Sequence, residues 1–405
     1  MTGYLSTIAA TSLFTGAQTR HDEGMERFGF GFTEEETLVA RAARDFAARR
    51  LAPGAAERDR TGRFPTEEIA ELGALGLLAM KVSHDDGGAG ASNVGYVLAM
   101  EAIAEACAST AVILASSNLA SKILADHATP AQRAKWLAPY ARGEVGPASF
   151  ALTEPLGGSD AAAIRTRARL EGGEWVLDGE KCWITSGAHA AFHVVFARTD
   201  GDGKEGMSCF VVERGAKGLT VGKEEDKMGQ RSSGTAALAF EGCRIPEGNL
   251  VGPRGGGYGV ALSALGAGRV GIAALSIGIA EAALSAAVDY AKERRAFGRA
   301  VADFQNTQFV LADSRTELDA AWLLTLRAAR LLDAGERAAS ESSMAKLFAS
   351  EACGRVVDRA VQIHGGFGYS RELAVERHYR DARVTRIYEG TNEIQRIVIA
   401  RQLLA

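Results

Sequence analysis

A carboxylate stands between a large aromatic and a glycine near the C-terminus, in the run Ile387-Tyr-Glu-Gly-Thr-Asn-Glu-Ile-Gln-Arg396. Glu389 is the residue there that could move a proton, although a lone glutamate is ordinarily a solvated surface charge. Upstream, "QIHGGFGY" (Gln362 to Tyr369) carries tandem glycines that break a helix and expose amide donors. Two other stretches share this chemical potential. In "FALTEPLGGSD" (Phe150 to Asp160) a short strand ends at Thr153 and runs into a glycine-rich turn, whose amides and the Thr153 and Ser159 hydroxyls can cradle a polar ring edge or a phosphate. In "CWITSG" (Cys182 to Gly187) an aromatic stands beside hydroxyl residues at a strand end, so that Trp183 can cover a planar cofactor while Thr185 bonds its edge. Each has a plainer alternative: an ordinary turn for the first and a core tryptophan for the second.

Other motifs carry less. Gly266-Ala-Gly268-Arg-Val-Gly271 fits G-x-G-x-x-G, but dinucleotide binding needs a strand before it and a helix start after it. It falls inside an alanine-rich helical period, where glycines serve close helix packing. His189 and His193 have no neighbouring carboxylate or cysteine cluster to complete a metal site, so no metal is expected. No G-x-S-x-G, P-loop, H-E-x-x-H or EF-hand pattern supports hydrolase or kinase chemistry.

The elements that must position these residues fall into three blocks. Residues 28–145 read as helices: "TEEETLVARAARDFAARRLAP" offers a capping box (Thr33, Glu36), apolar positions Leu38, Ala42 and Phe46, and Pro53 as a stop. Further on, Thr129 reads as a cap with Pro130 in the first turn. Residues 146–251 turn β-branched and alternating, as a small antiparallel domain. Residues 252–405 return to long helical periods, Val260–Arg295, Phe304–Ala334 and Ala338–His364 with a last C-terminal helix, as an antiparallel bundle. The class is α+β, mostly α. Residues 1–27 are set aside as a leader.

Composition narrows the function. With 405 residues, 47% of them hydrophobic, the chain can bury a large core, and a net charge of −4 gives no footprint for nucleic acid. Five cysteines without a C-x-x-C pair suit a reducing cytoplasm. No apolar run is expected to reach the roughly 20 residues of a membrane span.

Together with "ERRAFGRAVADFQNTQ" (Glu293 to Gln308) and "KMGQRSSGTAALAFEGCRIP", the three patterns resemble the acyl-CoA dehydrogenase family, colinear from about Phe28 to the C-terminus. The resemblance implies an N-terminal helical domain, a central β domain and a C-terminal four-helix domain, assembled as a homotetramer with non-covalent FAD. It implies that Phe150, Leu152 and Thr153 line the pyrimidine side of the flavin. Ser159, Trp183, Ile184 and Thr185 would join them, with Trp183 flanking the ring and Thr185 near N5. Arg294, Phe297, Gln305, Gln362, Gly365 and Gly366 would hold the FAD of a neighbouring subunit, and Thr391 and Glu393 would meet the dinucleotide near its pyrophosphate. Ser159, Arg269 and Gly390 fall on substrate-side positions, and Glu389 matches the catalytic base.

The implied reaction removes a Cα proton and a Cβ hydride from an acyl-CoA thioester, with electrons passed to an electron-transfer flavoprotein in fatty acid or amino acid catabolism. In some branched-chain relatives the base sits on the long helix just before the arginine, which here is Gly268 before Arg269. The chain departs from the family pattern at Gly266, where an acidic residue often contacts pantetheine, and at Leu156 and Ala296. Gly266 leaves open a carrier-protein thioester; a flavin oxidase or monooxygenase on the same fold is the other alternative. Small residues at Ala102 and Ala264, near Leu262 and Met100–Ala106, are expected to form the floor of the acyl pocket.

Overall fold

The computed structural model describes residues 31–405. The expected leader, residues 1–27, lies outside the described residues, as does Phe28.

Helix α1 (Glu34–Phe46) starts at the predicted capping box, with the Glu36 amide donating to Thr33 at 3.1 Å and the Thr33 amide to Glu36 at 2.9 Å. Its inner stripe differs from expectation. Leu38 and Ala42 face solvent, while Ala40, Ala43 and Phe46 point inward with Glu36. Small alanines allow close helix approach, and the Glu36 carboxylate is tolerated because Arg330 and Ser92 donate to it. Nor does Pro53 stop the chain: a π turn at Ala47–Leu51 and a 3-10 turn at Ala52–Gly54 absorb it and lead into α2 (Ala55–Thr61). From α2 the buried Arg58 donates to the Leu51 carbonyl and pairs at 2.9 Å with Glu68 on α3 (Thr66–Ala74). Two apolar helices follow, α4 (Asn93–Ala106) and α5 (Ala108–His127). Thr129 and Pro130 open α6 (Pro130–Gln132) as expected, and α7 (Ala138–Ala141) closes the block.

Eight strands make one sheet: β1 (Ala148–Ala151), β2 (Arg167–Glu171), β3 (Glu174–Thr185), β4 (Phe192–Arg198), β5 (Met207–Glu213), β6 (Leu219–Glu224), β7 (Thr235–Pro246) and β8 (Leu250–Val251). Their order is β6-β7-β3-β2-β4-β5-β8, with β1 on β4. Pairing is mostly antiparallel, as expected, but β1 runs parallel to β4 from Ala148↔Phe192 to Ala151↔Val195. β4 and β5 are apolar on both faces because they serve two cores. Val194, Phe196, Cys209 and Val211 join the helical core, while Val195, Ala197, Phe210 and Val212 pack with Trp175, Leu238 and Ile245.

The last block holds α8 (Gly257–Glu293), a short hairpin of β9 (Arg295–Ala296) and β10 (Arg299–Ala300), then α9 (Gln305–Asp333), α10 (Ala339–His364), α11 (Val375–Arg383) and α12 (Asn392–Leu403). The three long helices lie within a few residues of the predicted spans. One expectation is corrected: α5 and α8 are long and apolar enough, by length and composition, to cross a membrane. Their apolar length reflects burial, since most of each helix lies inside the protein core.

One junction ties all three blocks together. Arg380 of α11 pairs with Asp59 of α2 at 2.6 Å and donates to the Met228 carbonyl of the β domain at 3.1 Å. Arg231 donates to the Asp59 carbonyl at 2.9 Å. Gly229 lies so close to the Arg380–Asp381 backbone that a Cβ there would clash.

Candidate active site

Glu389 follows α11 and precedes α12, in a segment held at both ends. Thr391 caps α12, accepting from the Ile394 amide at 3.4 Å, and Gln395 of the first turn donates back to the Gly390 carbonyl at 2.8 Å. From α10, the fully buried Lys346 ammonium donates to the same carbonyl at 2.9 Å and to Asn392 Oδ1 at 2.8 Å. From the β domain, Gln230 donates through its side chain to the Tyr388 hydroxyl at 3.2 Å and through its amide to the Asp381 carboxylate. Glu389 itself sits at φ +50°.

Its Oε2 is closed off from solvent and has no hydrogen-bond partner among the described residues. Helix α8 makes room for it at Gly268, where a Cβ would stand 2.5 Å from Oε2. One turn along, Gly271 faces the Tyr96 hydroxyl in the same way. Glycines 268 and 271 of the formal G-x-G-x-x-G therefore serve close approach within a helix, while Gly266 fronts open space. Burial pushes the Glu389 carboxyl up to about 7, against the pull of Lys346, Lys81 and Arg269. The same burial lowers Lys346 and Lys81 to about 8. An unpaired, half-neutral carboxyl beside three cations is equipped to take a proton near neutral pH. Arg269 is buried and donates to Ser343 at 3.2 Å.

On the β domain, Trp183 is 61% exposed at the end of β3, with φ +59°. This answers the plainer alternative: Trp183 is not a core residue, and Trp175 fills that role. Thr185 and Phe150 are half-buried, and Thr153 accepts the Cys182 amide through its carbonyl at 3.0 Å, tying β1's end to β3. Leu152 and Ile184 turn their side chains into the cores, so only their backbones can meet a ligand. Ser159 lies exposed in its turn. Beside Thr185, the Ser186 hydroxyl is buried without a partner among the described residues, at φ +60°.

A third cluster forms where α8, the hairpin and α10 end. Arg294 lies 5.7 Å over the Phe367 ring, and Phe297 is 95% exposed at φ +51°. Gln305, Gln362, Gly365 and Gly366 are exposed beside these elements. Thr391 is half-buried and Glu393 exposed at the start of α12. His189 and His193 go to separate partners, Glu224 at 2.8 Å and Ser149 at 2.7 Å.

Backbone strain marks these places. Among the described residues, six non-glycine residues have positive φ: Trp183, Ser186, Gln230, Phe297, Glu389 and Ala338. Three are predicted site residues, Ser186 follows the predicted Thr185, and Gln230 donates to Tyr388 next to the base, in line with the tendency of strain to collect where function over-determines geometry.

The chain matches the descriptions "Acyl-CoA dehydrogenase, N-terminal domain" over residues 33–144, "middle domain" over 149–243 and "C-terminal domain" over 255–404. The chain belongs to the acyl-CoA dehydrogenase family. It is 48% identical to the mitochondrial short-chain specific acyl-CoA dehydrogenase of Mus musculus, over 92% of this chain and 90% of that one. The butyryl-CoA dehydrogenase structure from Megasphaera elsdenii superposes with a TM-score of 0.91 at 39% identity, over 93% of this chain and all of that one. A structure described as the electron transferring flavoprotein of Acidaminococcus fermentans gives 0.91 at 41% identity, covering 93% and 99%. The three-part fold is therefore that of the acyl-CoA dehydrogenases, and the chain is a flavoprotein oxidoreductase acting on acyl-CoA.

In this acyl-CoA dehydrogenase, sequence reasoning missed Lys346, Lys81, Gln230 and Tyr96. Lys346 lies in a plain helical period, and Lys81 in a loop. Only the "KMGQRSSGT" stretch carrying Gln230 gave a signal, as part of the family pattern. Ala102 and Ala264, the expected pocket floor, are buried on α4 and α8, and the groups set around Glu389 include Tyr96, Leu119 and Lys81.

Proposed function

We propose that the enzyme dehydrogenates a short-chain acyl-CoA to the trans-2-enoyl-CoA, with Glu389 as the base that removes the Cα proton and FAD as the cofactor. The observation that carries this is the buried, unpartnered Glu389 Oε2 facing Gly268, with its carboxyl lifted to about 7. The chain length follows the printed names of the short-chain and butyryl-CoA relatives.

The residues present suit a flavin. Trp183 offers an exposed indole, Ser186 a buried hydroxyl without a partner, and Thr153 and Thr185 half-buried hydroxyls along one strand-end surface. When bound, FAD supplies a two-electron acceptor for the Cβ hydride. The protein supplies the rest. The Glu389 carboxylate takes the proton, and the surrounding Tyr96, Tyr388 and Leu119 keep water from levelling its basicity. A backbone amide beside the base suits the thioester oxygen, where charge develops as the proton leaves.

The exposed Arg294, Phe297, Gln305, Gln362, Gly365 and Gly366 cluster supports a homotetramer in which this surface covers the FAD of a neighbour. Transfer of electrons to an electron-transfer flavoprotein is supported by the likeness to the Acidaminococcus fermentans structure. The deciding experiment is anaerobic mixing with butyryl-CoA. Wild type should bleach its yellow colour, and Glu389→Gln should keep FAD without bleaching. Full reduction of the variant would overturn the assignment.

A further inference from the structure

We propose that Lys346 is a positioning residue for Glu389: its buried ammonium pins the Gly390–Asn392 segment and sets the fixed positive charge that the base faces. The inference rests on Glu389 being the base.

Lys346 is wholly buried on α10 and spends two hydrogen bonds on the residues that follow the base, the Gly390 carbonyl at 2.9 Å and Asn392 Oδ1 at 2.8 Å. Asn392 is held in turn, donating to Ser350 Oγ at 3.0 Å and to Glu351 at 2.9 Å, so α10 grips the segment at three points. A lysine placed only for packing has no reason to bury its charge, which is costly unless the group is fully engaged. Gly390 sits at φ +88° and Glu389 at φ +50°, so the segment has no regular structure of its own to hold the carboxylate under Gly268.

The charged and titratable groups facing Glu389 are Lys346 from α10, Arg269 from α8, Lys81 from the loop before α4, Tyr96 from α4 and the adjoining Tyr388. Lys346 is the largest of the cationic influences on it. Lys346 itself faces Glu389, Glu393, Glu351 and Arg269, and with its own value near 8 it is mostly charged at neutral pH.

The test uses purified holoenzyme, with flavin reduction by butyryl-CoA followed anaerobically from pH 5.5 to 9 and normalised to bound FAD. In Lys346→Met the midpoint of the pH–rate profile should rise by about one unit, and the rate at pH 7 should fall at least about tenfold. An unmoved midpoint overturns the proposal, since a merely structural role leaves it in place. If Lys346→Met does not fold, Lys346→Arg decides. It keeps the charge but cannot repeat the two bonds, so the midpoint should stay and the rate fall about tenfold; a wild-type rate overturns the proposal. Reduction persisting in Glu389→Gln sinks the parent assignment and this one with it. A dead Glu389→Gln beside an unmoved Lys346→Met midpoint sinks this inference alone.

Discussion

Gly268 and Glu389 occupy one space: a methyl group on the helix residue would stand 2.5 Å from Oε2 of the carboxylate and 3.3 Å from Leu119. Gly268→Ala is therefore expected to split stability from activity. Alanine favours a helix interior by about 0.5–1 kcal/mol over glycine, so the melting temperature should hold or rise slightly. The carboxylate must swing away, and the rate of flavin reduction should drop about 100-fold. Thermal melts beside anaerobic reduction kinetics check both halves.

The ionisation of Glu389 sets a pH profile. Its value near 7 means that the carboxylate form, which accepts the proton, fills in as pH rises through 7. Reduction by butyryl-CoA should climb about tenfold per unit below pH 6.5 and level off above 8. A flat profile from 5.5 to 8 would contradict the buried-base picture.

The same shift has a stability sign. A carboxyl whose folded value lies above its unfolded one binds a proton more tightly when folded. Stability is therefore lost as pH rises from about 4.5 to about 7. Glu389→Gln removes that loss. At pH 8 the variant should be more stable than wild type by up to about 3 kcal/mol, and the gap should narrow toward pH 5. Denaturant midpoints at the two pH values measure it.

The Arg58–Glu68 pair is nearly inaccessible, with Arg58 also bonded to the Leu51 carbonyl. Arg58→Met leaves the buried Glu68 carboxylate with the long 3.4 Å contact to Arg63 alone and should cost up to about 3 kcal/mol, while leaving the flavin spectrum of the folded fraction unchanged. Replacing both partners by apolar residues should recover much of that loss, which urea titration of the two variants would show.

Much of this was legible in the sequence, and the rest was hidden for identifiable reasons. The capping box at Thr33 and the cap at Thr129 are local chemistry and appear where expected. The long helices likewise follow their period. The α1 stripe was misjudged because size, and not hydrophobicity alone, selects what faces a close neighbour: Leu38 is left outside while Ala40 and Ala43 go in. Pro53 was misjudged because a π turn before it absorbed its steric demand. At the site, Glu389 stands out by its flanking residues. Lys346 acts across 44 positions of chain, through hydrogen bonds that no spacing announces. The strained backbone at Trp183, Phe297 and Glu389 is equally silent, because none of these is a glycine.

The meeting of Asp59, Met228, Arg231, Arg380 and Gln230 around the stem of the Glu389 segment draws one anchor or more from every block of the chain. No fragment can complete the catalytic pocket by itself. During refolding from denaturant, helical signal should thus return before turnover does, the lag being the time the last two blocks need to dock.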